Sequence, residues 1–564
     1  MKFNEMKYMK IDIDKWQKEF DKELKLFETA NTVEDKLSAI DRINKERNHF
    51  ETMENLAHVR HVIDTSDEFY EAQVNHFDTI SPFYQRAVTT YYQSLVGDPM
   101  RDELRERLGD HLFNLAAVKL RTFKDEILED LAKENRLSTE YTKLRTSIEI
   151  DYDNKKLNLS QIGPYLEVVD REKRKEAYYA MESAIEEKSQ EFNTIFDEMV
   201  KLRHQIALKL GYDNFIGLAY DRLSRTDYDH GDVRVFRESV RDHLVPNMTT
   251  LYQKQAARLS IDALKFYDIG LSFTSGNPTP KGDPDWIVEQ GRTMYHELSS
   301  ETGVFIDHMI DNELMDLVAK PSKAGGGFCT YIPDYQAPFI FSNFNGTMGD
   351  IDVLTHEAGH AFQVYESRHH QVPEYLWPTL EACEIHSMSM EFLTYPWMNS
   401  FFKEDTEKYY YTHMSEAIKF IPYGVLVDHF QHWVYEHPYA TPKERNDTWR
   451  TLEKEYLPHK DYDGHEFLES GTYWFRQGHI FKDPFYYIDY TLAAVCAFQF
   501  WQKANLDRDT AFSDYLNLCK QGGSQPFTQL VADAGLKQPF EKDTLRTIAT
   551  DVVEYLSSID DSKF

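Results

Sequence analysis

Residues 355–360 read Thr-His-Glu-Ala-Gly-His, so His356 and His360 stand four positions apart with Glu357 directly after the first. On an α-helix this spacing puts two imidazoles on one face, a turn apart, where both can reach a single tetrahedral ion. Glu357 then projects beside the ion rather than onto it. A carboxylate placed there can take a proton from an attacking water, the general-base part of metal-assisted hydrolysis. A hydrolytic metal also needs a third protein ligand and an open position. The string EACEIHSMSME, residues 381–391, offers carboxylates on a following helix. Glu381 and Glu384 are three apart on one helical face and both are candidates. Glu391, two turns beyond Glu384, either orients a ligand histidine through its second ring nitrogen or is a paired core charge. Gly359 costs a helix about 1 kcal/mol relative to alanine, which implies that something approaches the backbone closely there.

The elements that must position these groups are mostly helical. From the start to about residue 270, apolar residues recur at three- and four-residue spacing, as in Phe192, Ile195, Phe196, Met199, Ile206 and Leu210, with Gly211 as a helix stop. The prolines and glycines of 271–286 and the glycines at 325–327 break the pattern and mark loops. The triple glycine lacks the Lys-Ser/Thr ending of a phosphate-binding loop. FCTYIPDY and PFIFSNFNG then read as strands of a small sheet, the second as an edge strand bordering a cleft, with Pro338 at its start. An extended peptide can add to such an edge through main-chain hydrogen bonds, which makes Phe341 and Asn343 expected substrate contacts. Helical periodicity resumes at Ile351 and continues to the C-terminus, with a loop-like stretch over 458–479.

The sequence HEAGH, followed 24 residues after its second histidine by Glu384 in the string EIHSMSME, resembles the M3 family of zinc oligopeptidases. Relatives in that family include thimet oligopeptidase and neurolysin, and the chain is most similar to the oligoendopeptidase F branch. The resemblance implies a mostly α, two-lobed, multi-helical zincin fold with a small β-sheet next to the HExxH helix and a deep substrate channel. It implies that Glu384 is the third ligand of one catalytic Zn2+. Residues 478–490, GHIFKDPFYYIDY, resemble the family's histidine and tyrosine stretch, which implies Tyr490 as the oxyanion-stabilising hydroxyl and His479 as a substrate-binding imidazole. Tyr486 and Tyr487 are further substrate contacts on the same argument. The expected division is an N-terminal helical lobe over 1–190 and a zinc-binding catalytic domain over 191–564.

Composition bounds what such an enzyme works on. Lys and Arg total 63 against 95 Asp and Glu, a net charge of −32, which argues against a nucleic-acid partner. Four scattered cysteines form no CxxC pair, the N-terminus has no apolar signal region, and no stretch approaches the 18 apolar residues of a membrane span. A cytoplasmic endopeptidase of short peptides is the expected function. Two alternatives stand beside it. A zinc carboxypeptidase or dipeptidyl carboxypeptidase would need a cation for the substrate's terminal carboxylate, and Arg476 is the candidate. A non-catalytic helical binding protein would carry the motif by chance.

Overall fold

The computed structural model describes residues 1–159 and 161–564. Helices dominate it. Ile13–Thr29, Val33–Ile63 and Glu68–Gly97 pack side by side at the N-terminus, and the first two are started by Asp12 and Thr32, whose side chains accept from the backbone N–H groups of Lys15 and Asp35. Ser189–Leu210 carries the apolar stripe expected of it and stops at Gly211, whose φ of 93° is left-handed. The apolar core is continuous from Phe3 to Leu556. Among the described residues no helix is long and apolar enough to cross a membrane.

The strands are β1 (Ile150–Tyr152), β2 (Lys155–Leu157), β3 (Met315–Val318), β4 (Phe328–Ile332) and β5 (Ala337–Phe344). β1 and β2 form a separate hairpin, and the other three make one sheet in the order β3-β5-β4. β5 runs parallel to β3 and antiparallel to β4, with Phe328 opposite Phe341 and Ile332 opposite Ala337.

This order corrects the edge expected of PFIFSNFNG. Its run of buried residues belongs to a central strand, paired on both sides and covered on its faces. Phe341 is fully buried and stacks on Phe328 with ring centres 5.0 Å apart, so it is core rather than a substrate contact. Asn343 is likewise engaged within the protein, its amide donating to the carbonyls of Ala324 and Gly326 at 2.9 and 2.8 Å. It ties down the glycine loop that precedes β4. The strand edge nearest the histidines is therefore β4.

The helix Gly349–Ser367, which contains the HExxH residues, packs on β4 and β5. Its entry is fixed by Asp350, whose carboxylate accepts from the N–H groups of Asn345 and Gly346, both at 2.8 Å. The helix Leu380–Leu393 lies between this helix and Tyr487–Leu506. Three helices and a strand edge thus surround one point.

Candidate metal centre

His356 and His360 project from one face of the HExxH helix, their ring centres 5.0 Å apart. Gly359 on the same helix sets the distance to the next. A Cβ placed on it would stand 2.6 Å from the carbonyl oxygen of His386 and 2.7 Å from Cα of Ser387, so only glycine lets the helix Leu380–Leu393 come this close. The approach delivers Glu384. Its Oε2 lies 3.3 Å from His356 Nε2 and 3.5 Å from His360 Nε2, and one ligand atom from each of the three residues falls within 4.8 Å of the others. Two imidazole nitrogens and a carboxylate oxygen, converging from two helices, are the donor set of a hydrolytic zinc site. Glu381, the rival carboxylate, is buried away from this cluster, beside Arg225 and Asp489.

The candidate ligands are themselves held. His356 Nδ1 pairs with Glu391 Oε1 at 2.7 Å, and Glu391 Oε2 pairs with His413 Nε2 at 2.7 Å. His413 Nδ1 meets the Tyr395 hydroxyl at 2.7 Å. A carboxylate on Nδ1 fixes the proton there and leaves Nε2 as the metal-facing lone pair. Glu391 thus stands behind the candidate ligand His356 and is at the same time a paired buried charge. Glu384 is fixed on both oxygens, Oε2 by the Ser387 hydroxyl at 2.9 Å and Oε1 by the Tyr486 hydroxyl at 2.8 Å. Burial works against its ionised form, yet the facing imidazoles hold its carboxyl well below the usual range.

Glu357 is buried, and its Oε2 has no partner among the described residues. Burial raises its carboxyl above the usual range. An orphaned oxygen beside a cavity is where an incoming water would find its acceptor. That cavity, of about 390 Å3, is lined by all three candidate ligands, Glu357, the β4 residues Phe328 and Cys329, Trp377, Tyr486 and Tyr490.

The histidine and tyrosine stretch divides. Tyr486 and Tyr490 line the cavity, their ring centres 5.0 Å apart, and burial raises both hydroxyls well above their ordinary pKa, so they are hydrogen-bond donors at neutral pH. Tyr487 packs edge-on against Phe420 and Tyr423 and also lies against His479 and Tyr490, with ring centres 4.9 and 5.6 Å away, outside the lining of the cavity. His479 stands beside Tyr490 with ring centres 5.9 Å apart, and its Nδ1 is engaged by the Gln477 amide at 2.8 Å. Burial lowers its pKa, which favours the neutral ring. Arg476 is paired with Glu182, its Nη2 donating to both carboxylate oxygens at 2.6 and 2.5 Å. No helical spacing from the motif points to His413 or to Tyr486 on Glu384; Ser387, three residues after Glu384, does follow one.

Residues 3–123 of the chain match the Peptidase M3 N-terminal domain, and residues 165–275 and 287–550 match Peptidase family M3. The chain is 21% identical over 570 residues to Oligopeptidase PepF of Bacillus subtilis (strain 168), across 92% of this chain and 81% of that protein. Among solved structures it is similar to PZ peptidase A with an inhibitor, at 51% identity and a TM-score of 0.96 over 100% of both chains. It is also similar to a provisionally named oligoendopeptidase F from Bacillus anthracis str. Ames, at 49% identity and a TM-score of 0.92 over 100% of this chain and 99% of that one.

Proposed function

The chain belongs to peptidase family M3, and on that basis we propose that it is a zinc-dependent endopeptidase that hydrolyses internal bonds of short oligopeptides, with His356, His360 and Glu384 holding the metal. The observation that carries the reading is the convergence of these three side chains on one point beside the orphaned carboxylate of Glu357. Zinc, when bound, supplies a Lewis acid that polarises the scissile carbonyl and acidifies water. Glu357 takes the proton of the attacking water and passes it to the leaving amine. Tyr490 donates to the oxyanion that forms on the former carbonyl, and His479 binds substrate beside it. Tyr486 holds Glu384 in its ligating orientation. The outer edge of β4 at Phe328 and Cys329, which line the cavity, is the main-chain track for the peptide.

The same proposal includes a division into two lobes near residue 190, C-terminal to the break between the family matches at 123 and 165. It includes a cytoplasmic location, consistent with four cysteines that are all free. The pairing of Arg476 with Glu182 weakens the carboxypeptidase alternative.

Mass spectrometry of digests of a peptide-length series, with and without chelator, tests the function. Internal cleavage of short peptides that stops with chelator and returns with zinc is the expected result. Cleavage confined to the last one or two residues would favour the carboxypeptidase reading, and chelator-insensitive or absent cleavage would remove the metallopeptidase reading.

A further inference from the structure

Past the metal cavity the cleft opens into a second hollow of about 280 Å3, and Trp377 and Leu380 form part of the wall of both. Three residues lining the second hollow carry a buried polar atom with no partner among the described residues: His111 at Nδ1, Arg222 at Nη2 and Thr379 at Oγ1. Buried polar atoms are satisfied in the great majority of cases, so three orphans around one hollow mark the place of a polar ligand.

The wall is also cationic. Arg203 Nε and Arg222 Nη1 share the single carboxylate of Glu134, at 2.6 and 3.1 Å, which leaves one guanidinium charge uncompensated. Lys119 lines the hollow too, its Nζ 3.4 Å from the Arg222 carbonyl oxygen. The carboxylate in the lining, Glu374, is already engaged by Arg47 at 2.7 Å and by the Tyr92 hydroxyl at 2.5 Å. Thr379 is the N-cap of the helix Leu380–Leu393, yet its hydroxyl caps nothing and stands free at the hollow. Burial lowers the His111 pKa to about 4, which keeps it neutral at pH 7 and able to hydrogen-bond without charge. In a chain of net charge −32, this concentration of cations and free donors at the end of the cleft selects for an anion.

We propose that this hollow is a subsite for a carboxylate of the peptide substrate, with Arg222 and Lys119 as its charge partners and His111 and Thr379 as neutral hydrogen-bonding groups. The inference rests on the peptidase reading and adds a specificity to it. The carboxylate comes from an acidic side chain or from the C-terminus of a peptide whose end reaches the hollow. The required chemistry is the same, because each presents two oxygens to a guanidinium.

The test uses peptides in matched pairs: Asp or Glu against Asn or Gln at each position, and free against amidated C-termini. Binding to zinc-loaded Glu357→Gln protein is measured by calorimetry, which needs no turnover, and kcat/KM is measured on the wild-type enzyme. One carboxylate peptide should bind at least tenfold tighter than its amide, the size expected of charge-assisted hydrogen bonds in a sheltered site. Arg222→Gln and Lys119→Gln, each placed in the Glu357→Gln background, should bring that ratio within about twofold of unity, chiefly by weakening the carboxylate peptide. Lys119 is exposed, so its substitution carries the test should Arg222→Gln fail to fold. The pair that shows the effect identifies side chain or terminus. Equal binding of both members of every pair, or a preference that survives both substitutions, would overturn the subsite. Carboxylate-selective binding without any cleavage by the wild type would instead remove the peptidase reading and leave the binding site standing.

Discussion

A Cβ on Gly359 would stand 2.6 Å from the carbonyl oxygen of His386, so the backbones of the two helices that carry the candidate ligands are separated by one hydrogen atom's worth of side chain. The contact fixes how far Glu384 reaches toward His356 and His360.

Gly359→Ala should therefore lower both stability and metal occupancy. Alanine gains about 1 kcal/mol of helix propensity, but overpacking against backbone costs about 1–3 kcal/mol and cannot be relieved by a rotamer change. The expected result is a lower Tm and less than one zinc per chain by elemental analysis. A raised Tm with full zinc would show that the helices part without effect.

Glu391→Gln should weaken zinc binding about 10- to 100-fold, the usual size for a group that orients a ligand histidine. Glu391 Oε1 pairs with His356 Nδ1 and Oε2 with His413 Nε2, so the amide keeps the shape but loses one acceptor. Competition with a zinc-binding dye measures it. An unchanged zinc Kd would return Glu391 to the role of a core charge.

How much of this was legible in the sequence follows from where each signal lies. His356, Glu357 and His360 share one turn of helix, and the close approach at Gly359 was readable from a glycine in a helix interior, because both signals are local. The choice of Glu384 over Glu381 came from family spacing, since two carboxylates three apart cannot be told apart by helical geometry; the structure separates them by putting Glu381 against Arg225. The central place of β5 is not legible locally, because it depends on β3, four residues whose pairing of Met315 with Ile340 and Asp316 with Phe341 is long-range. The β1–β2 hairpin was missed inside a helical reading, although Asp153 and Asn154, with φ of 53° and 58°, are residue types that accept a left-handed turn. His413 lies on a third helix and announces itself only through Glu391.

Glu357→Gln should keep a full zinc complement and lose about 10²- to 10⁴-fold in kcat, the usual contribution of a general base. The amide preserves the volume of a buried side chain whose Oε2 has no protein partner, so stability should change little. Stopped or discontinuous assays on one peptide, with zinc measured on the same sample, decide it. Near-wild-type kcat would refute the assigned role.

Tyr490→Phe and Tyr486→Phe should fail differently. Removing the Tyr490 hydroxyl should lower kcat by about 10²- to 10³-fold, as loss of an oxyanion donor does, with KM and zinc affinity close to wild type. The Tyr486 hydroxyl donates to Glu384 Oε1 at 2.8 Å, so its loss should weaken zinc binding as well as turnover. Should Tyr486→Phe alone show the kcat loss at full zinc occupancy, the oxyanion role passes to Tyr486.

Acid between pH 7 and pH 5 should withdraw the stability tied to one buried histidine. Burial, aided by the charges of Lys460 and Lys419, lowers the His459 pKa from 6.5 to about 3, and the ring lies 3.5 Å, centre to centre, from Tyr252 in a stacked arrangement. Between those two values the unfolded chain binds a proton that the folded one refuses, so this contribution is complete above pH 6.5 and declines as pH falls toward 3. At about 1.4 kcal/mol per unit of pH at most, the loss at pH 5 is on the order of 2 kcal/mol. Tm measured from pH 7 to pH 5 should therefore fall, and His459→Gln, which cannot take up the proton, should show a shallower slope from a lower starting Tm. An identical slope in the two proteins would mean that His459 titrates normally in the folded state.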